Sequence, residues 1–298
     1  MFGQKKSYFA ETQDIGVNLA HTIISDAVIK AEPNPNSATI AVIKNNLIIW
    51  LSLLSTFSSA QIDSTFDLYL LIGQSNMAGR GKITKEFKNL GSPGIVMLNK
   101  DNQWVPARHP LHFDKPAIVG VGPGLSFALE MSKKNNGNKI GLIPCAVGGT
   151  SIDLWKSGAF DSITKTHPYD DMMKRIKEAM QSGVIKGVIW LQGEADSNPV
   201  KAKDYLNNLE DLINRIRGIT NNPSLPFVAG ELGRFKEQYQ YINNELKDLP
   251  KKVTFTAVAS SKGFSDINDK THFNSESAEK YGVRFAKKMK RLQRQLRS

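Results

Sequence analysis

The feature that most narrows the fold is an alternation of two patterns. Five apolar runs, Phe66–Ile72, Lys139–Cys145, Gly187–Leu191, Pro226–Ala229 and Val253–Val258, are bounded by glycine, small or polar residues. Such runs read as strands buried on both faces. Between them the period changes to that of a helix. Tyr169, Met172, Met173, Ile176, Ala179 and Met180 fall on one helical face. Tyr205, Leu209, Leu212, Ile213 and Ile216 do the same, as do Tyr281, Phe285, Met289, Leu292 and Leu296. Continuous apolar strands alternating with one-sided helices predict an α/β domain, a parallel sheet covered on both faces. Ligands of such sheets bind beyond the carboxyl ends of the strands. The loops after Ile72, Cys145, Leu191 and Val258 are therefore where chemistry is expected.

A different kind of apolar run, Leu47–Phe57, lies upstream, preceded by Lys44 and followed by Ser58-Ser59-Ala60. A basic residue, about a dozen apolar residues and a small-residue end predict a secretory signal over 44–60. The run falls short of the roughly 20 residues that span a bilayer, so no stable membrane insertion is expected after cleavage. Residues 1–43 are polar and broken by Pro33 and Pro35. They read either as a disordered extension or as sequence upstream of the true start. Cleavage after Ala60 leaves 61–298 as one domain, secreted or periplasmic. The formal charge of +11 is unchanged by it, because residues 1–60 carry four lysines and four acids.

The first strand runs into Gly73-Gln-Ser-Asn-Met-Ala-Gly79. A serine leaving a buried strand into a glycine-flanked turn has an exposed hydroxyl and a free N–H, although a helix-capping serine reads alike. No lysine follows where a phosphate-cradling loop requires one. After the second run come Gly148 and Gly149, which permit close backbone approach and can aim N–H groups at a developing oxyanion. After the third comes Gln192-Gly-Glu-Ala-Asp196, an amide and two carboxylates at a strand end; Glu194 and Asp196 read as loop-ordering groups.

A serine nucleophile needs a base, and the chain has five histidines. His21 precedes the signal, His109 and His167 each precede a proline, and His112 lies in a long loop without a patterned partner. His272 remains, in Asp269-Lys-Thr-His272, just before the last helix. An Asp three residues before a His can fold back onto its ring N–H and fix its orientation. No glycine-x-serine-x-glycine elbow surrounds Ser75, and Asp and His are close neighbours, unlike those of α/β-hydrolases. One cysteine and no spaced cluster of His, Cys and carboxylates leave no metal site to propose, and no cofactor is expected.

At Gly73-Gln-Ser-Asn-Met-Ala-Gly-Arg80, Gly148-Gly149, Gln192-Gly-Glu194 and Asp269-x-x-His272 the chain resembles the SGNH-hydrolase superfamily. Within it, the likeness is to carbohydrate esterase family 6 and the sialate O-acetylesterase-like group, over roughly 66–290. The resemblance implies a three-layer α/β/α, flavodoxin-like fold with a five-stranded parallel sheet. It implies metal-independent hydrolysis of acetyl esters on carbohydrate, of acetylxylan or sialate type. It also implies Ser75 as nucleophile, His272 as base, Asp269 as its orienter, and an oxyanion hole from the N–H groups of Ser75 and Gly149 with the Gln192 side chain. The superfamily commonly has Asn in place of Gln192.

Two other classes are to be weighed. For the esterase, Trp104 and Trp155 are candidate sugar-stacking platforms, with core packing the favoured reading for Trp155; a non-catalytic carbohydrate-binding protein on the same fold would need no Ser, Asp and His set. Nucleic-acid binding would draw on Lys287, Lys288, Lys290, Arg291, Arg294 and Arg297 in the final helix. Cations near a helix C-terminus are the ordinary response to its dipole, and export argues against a nucleic-acid partner. The expected partner is an acetylated oligo- or polysaccharide.

Overall fold

The computed structural model describes residues 66–133 and 137–297. The signal segment 44–60, residues 1–43 and His21 lie outside the described residues. The strands are β1 (Phe66–Gly73), β2 (Ile95–Leu98), β3 (Trp104–Pro106), β4 (Lys139–Pro144), β5 (Gly183–Leu191), β6 (Phe227–Gly230) and β7 (Thr256–Ala259). The helices that matter below are α1 (Ser75–Ala78), α2 (Gly124–Ser132), α3 (Pro168–Ala179), α4 (Pro199–Ile219), α5 (Gln240–Leu246) and α6 (Ser275–Gln295).

The sheet corrects the expectation of five parallel strands. It has seven, in the order β3-β2-β4-β1-β5-β6-β7. The five expected strands are all present, although β5 starts earlier than expected and β7 is Thr256–Ala259 rather than 253–258. The two additions lie outside β4: β2 runs parallel to it, and β3 returns antiparallel to β2. They leave no pattern in the sequence because β2 has four residues and β3 three, one of them Pro106. Proline is tolerated there because an edge strand leaves its outer N–H groups unpaired anyway. The connecting turn is built by Asn99, whose side chain accepts from the N–H groups of Asp101 and Gln103.

The central strand explains why its sequence shows no alternation. Leu68, Leu70 and Ile72 pack into one core and Tyr69 and Leu71 into the other, so both faces are buried. Against the first face lie α3, α4 and α5, through Met172, Ile176, Leu209, Leu212 and Ile242. Against the second lie α2 and α6, through Leu125, Phe127, Tyr281, Phe285 and Met289. Helix starts follow capping chemistry. Asn198 accepts from the N–H groups of Val200 and Lys201 ahead of α4, and Asn274 accepts from Ser277 N–H ahead of α6.

The strand order turns at β1. The chain leaves it to build β2–β4 on one side and β5–β7 on the other, which opens a crevice at its carboxyl end. Gly73 makes that end possible. Its φ is +133°, and any side chain there would run into the carbonyl of Leu191 on β5. Gln74 N–H donates to that same carbonyl at 2.9 Å. The turn is thus pinned to its neighbour and delivers Ser75 to the crevice.

Candidate active site

Ser75 opens the single turn of α1 and is 7% exposed. His272 comes from the loop between β7 and α6, and its Nε2 lies 2.9 Å from Ser75 Oγ. Its Nδ1 lies 2.5 Å from Asp269 Oδ2. A carboxylate only accepts, so the proton sits on Nδ1 and Nε2 is left as the acceptor for the serine hydroxyl. The Asp269 side chain does more than face the ring. Its Oδ1 accepts from the backbone N–H groups of Thr271 and His272, each at 2.8 Å, closing the loop into a tight turn. Burial pushes the Asp269 carboxyl up, but the His272 backbone and ring N–H and the Thr271 N–H outweigh it and hold it below the usual value. With side chains 24% and 37% exposed, the His272–Asp269 pair adds little stability; its consequence is orientation. An imidazole so held can take the Ser75 proton and return it.

Two backbone N–H groups lie in the expected loops, those of Ser75 and Gly149. Among the described residues neither Ser75 N–H nor Gly149 N–H has a hydrogen-bond partner. Gly149 has φ +92°, and the atom nearest to a side chain built there would be Lys115 Nζ, at 3.8 Å, so its backbone is open to a ligand. The preceding residue is anchored. Gly148 N–H donates to Asp114 Oδ2 at 2.8 Å, and the same oxygen accepts from Arg80 Nη2 at 2.8 Å. Arg80 and Asp114 are an almost wholly buried ion pair, with side chains 5% and 1% exposed. Burial alone would raise the Asp114 carboxyl, but Arg80 beside it holds it low. Asp114 lies in the long loop 107–123, whose irregular sequence gave no signal of this role.

Gln192 stands differently from its expected place. It is fully buried, and its Nε2 donates to Asp196 Oδ2 at 2.6 Å, Thr150 O at 2.9 Å and Gln74 Oε1 at 3.2 Å. Two amide hydrogens shared among three acceptors leave none for a substrate oxygen. Asp196, also accepting from Ile152 N–H at 2.9 Å, completes a cluster that fixes the floor of the site.

The aromatic platforms are likewise elsewhere. Trp155 is fully buried edge-on against Trp190, with rings 5.2 Å apart. Trp104 packs edge-on against Phe66 at 5.1 Å and donates to Ser182 Oγ, near the amino end of β5. Trp155 is a core residue, and Trp104 packs half-buried against the same core. Of the remaining described histidines, His112 is buried without a partner on either ring nitrogen, and burial pulls its imidazole down to about 4. His109 pairs with Glu279 on α6, and His167 with the Ala159 carbonyl.

The residue that the sequence reading left without a role is Asn76. Its Oδ1 accepts from Phe273 N–H at 3.0 Å, and its Nδ2 donates to Thr271 O at 2.9 Å and to Glu194 Oε1 at 2.5 Å. One side chain therefore holds the backbone on both sides of His272.

Fold and site together define an α/β protein with serine, imidazole and carboxylate in hydrogen-bonded series at the carboxyl edge of its sheet. Residues 65–291 match the family described as carbohydrate esterase, sialic acid-specific acetylesterase. The chain belongs to this family and is a carboxylic ester hydrolase. It is 32% identical over 238 residues to the probable carbohydrate esterase At4g34215 of Arabidopsis thaliana, covering 74% of this chain and 88% of that one. The solved structure of the Arabidopsis protein matches with a TM-score of 0.67 at 31% identity, covering 76% of this chain and 98% of that one. NanS matches with a TM-score of 0.61, covering 78% of this chain and 98% of that one, at 16% identity. XAC1771, a carbohydrate acetylesterase from Xanthomonas citri, matches with a TM-score of 0.58 at 16% identity, covering 76% of this chain and 56% of its own. The last two likenesses speak to the fold alone.

Proposed function

We propose that this chain is an exported O-acetylesterase that removes acetyl groups from carbohydrate with Ser75 as nucleophile, His272 as base and Asp269 as its orienter. The observation that carries the reading is the unbroken series from Ser75 Oγ through His272 to Asp269, at 2.9 and 2.5 Å. Ser75 Oγ attacks the acetyl carbonyl carbon while His272 Nε2 takes its proton. The negative charge that develops on the carbonyl oxygen is met by the N–H groups of Ser75 and Gly149. The imidazolium then protonates the departing sugar oxygen, leaving acetyl on Ser75. Water, deprotonated by His272, releases acetate and restores the serine.

The rim favours an acidic sugar of the sialate type over neutral acetylxylan. Lys115 Nζ stands beside Gly149, and its charge also acts on the Asp161 carboxylate. Lys236 Nζ donates to Thr271 Oγ1 beside the His272 loop. Ammonium groups beside the Gly149 and His272 loops suit a substrate carboxylate. The test is acetate release from acetylated sialic acid, acetylated xylan and a chromogenic acetate by residues 61–298. Release from both carbohydrates is expected, with the higher kcat/KM on the sialic acid. Binding of either sugar without acetate release would instead make the chain a carbohydrate-binding protein.

A further inference from the structure

We propose that Glu194 is a positioning residue for His272, acting through the Asn76 side chain. The proposal rests on the reading of His272 as the base, and the geometry behind it is a clamp with three points of hold. Asn76 takes Phe273 N–H on one side of His272 and gives its amide to the Thr271 carbonyl on the other. Its remaining amide hydrogen goes to Glu194 Oε1 at 2.5 Å. An Asn side chain is free to rotate about its last bond, and its two ends look alike in shape. Phe273 N–H and the Thr271 carbonyl select one orientation, and Glu194 reinforces it, because an oxygen facing the carboxylate would be repelled. The amide nitrogen must therefore face Glu194 and Thr271, and the oxygen must face Phe273.

The clamp is tied to the same floor as the serine. Glu194 begins the turn Glu194–Asp196 after β5, and Gly193 N–H, just before it, donates to Gln74 Oε1 at 3.3 Å. Gln74 immediately precedes Ser75. One short path thus fixes the distance between the hydroxyl on α1 and the imidazole on the last loop, which come from opposite ends of the domain sequence.

The environment of Glu194 gives the clamp a pH dependence. Its Oε2 meets no side-chain partner, and burial pushes the carboxyl up to about 7 against the opposing pull of the Asn76 amide and the backbone N–H groups of Glu194 and Gly193. The other titratable groups that act on it or feel it are Asp196 beside it, Tyr205 on α4 and Tyr281 on α6, none of them a cation. As pH rises through about 7 the carboxylate forms and its hold on the Asn76 amide strengthens. As pH falls below that value the hold weakens.

Glu194→Gln preserves shape and an acceptor oxygen but stays neutral at every pH, so it mimics the protonated acid. The expected result is a folded variant with kcat lower by about 10-fold near pH 9 and a wild-type-to-variant ratio that falls toward one near pH 5. Asn76→Ala, which releases the loop, should lose on the order of 100-fold in kcat with a smaller change in KM, as misplacement of a reacting group does. A ratio for Glu194→Gln that stays constant across pH, or an unchanged kcat in Asn76→Ala, would overturn the proposal. A second readout needs no turnover: the downfield proton resonance of His272 Nδ1–H, held against Asp269. It should be sharp in the wild-type protein and lost or broadened in Asn76→Ala at unchanged fold. Its persistence there would overturn the clamp even if no substrate were turned over, whereas its loss in a protein inactive on every ester would leave the clamp standing and refute the esterase reading.

Discussion

His272 Nε2 stands 2.9 Å from Ser75 Oγ although 197 residues separate them. The parallel sheet makes the meeting possible. Ser75 follows the central strand and His272 follows the strand at one edge, and in a parallel sheet both carboxyl ends open on the same side. The loop from β7 must still reach back across β6 and β5 to the crevice. Asn76 holds it there by the backbone of Thr271 and Phe273, so the serine turn itself grips the histidine loop.

Residues that act as one unit lose activity together. Ser75→Ala and His272→Ala are each expected to lower kcat by about 10⁴-fold or more, and the double variant should be hardly worse than either. Acetate release by the three purified variants checks this; independent, multiplying losses would separate the two residues.

Asp269→Asn should fold, because its Oδ1 can still accept from the Thr271 and His272 N–H groups. The new amide would face Nδ1 as a donor and favour the tautomer with its proton on Nε2, which cannot accept from Ser75. A kcat loss on the order of 10³- to 10⁴-fold is expected, with little change in melting temperature. A variant as active as wild type would show that Asp269 does not set the tautomer.

Gln192→Ala addresses the floor of the site. Removing the amide takes one donor each from Asp196 Oδ2 and Gln74 Oε1, and the donor from Thr150 O. Leaving such buried groups short of partners costs about 1–3 kcal/mol, so the variant should unfold at lower denaturant. Its kcat should fall by less than the roughly 100-fold that loss of an oxyanion donor causes. A loss of 100-fold or more at unchanged stability would put the Gln192 amide in the oxyanion hole.

The Lys44, apolar run and Ser58-Ser59-Ala60 pattern predicts export with a mature terminus at or near Gln61. N-terminal sequencing of secreted protein checks it, and an intact Met1 in secreted material would contradict it.

Much of this was legible because buried parallel strands write themselves as apolar runs. β1, β4, β5 and β6 need no polar face, and their loops carry Ser75, Gly149 and Gln192. The edge pair β2 and β3 was hidden by its brevity and by Pro106. An aromatic ring reads the same whether it stacks on a sugar or fills a core; the core reading favoured for Trp155 agrees with its full burial, while Trp104 is only half-buried. Gln192 was in the right loop, but its hydrogen bonds depend on Thr150 and Asp196, which the sequence does not show to be neighbours. Asp114 sits in an irregular loop, and its pairing with Arg80 over 34 positions has no local signature.

The most direct test of the account is to trap its covalent intermediate. Wild-type protein and Ser75→Ala are mixed with an acetyl ester, quenched in acid within the first turnover and digested for peptide mass spectrometry. The account predicts one acetyl group on Ser75 in the wild-type protein and no acetyl at that position, with no burst of product, in Ser75→Ala. Turnover by the wild-type protein without acetyl on Ser75, or an acetyl group on another residue that accumulates and decays at the turnover rate, would contradict it.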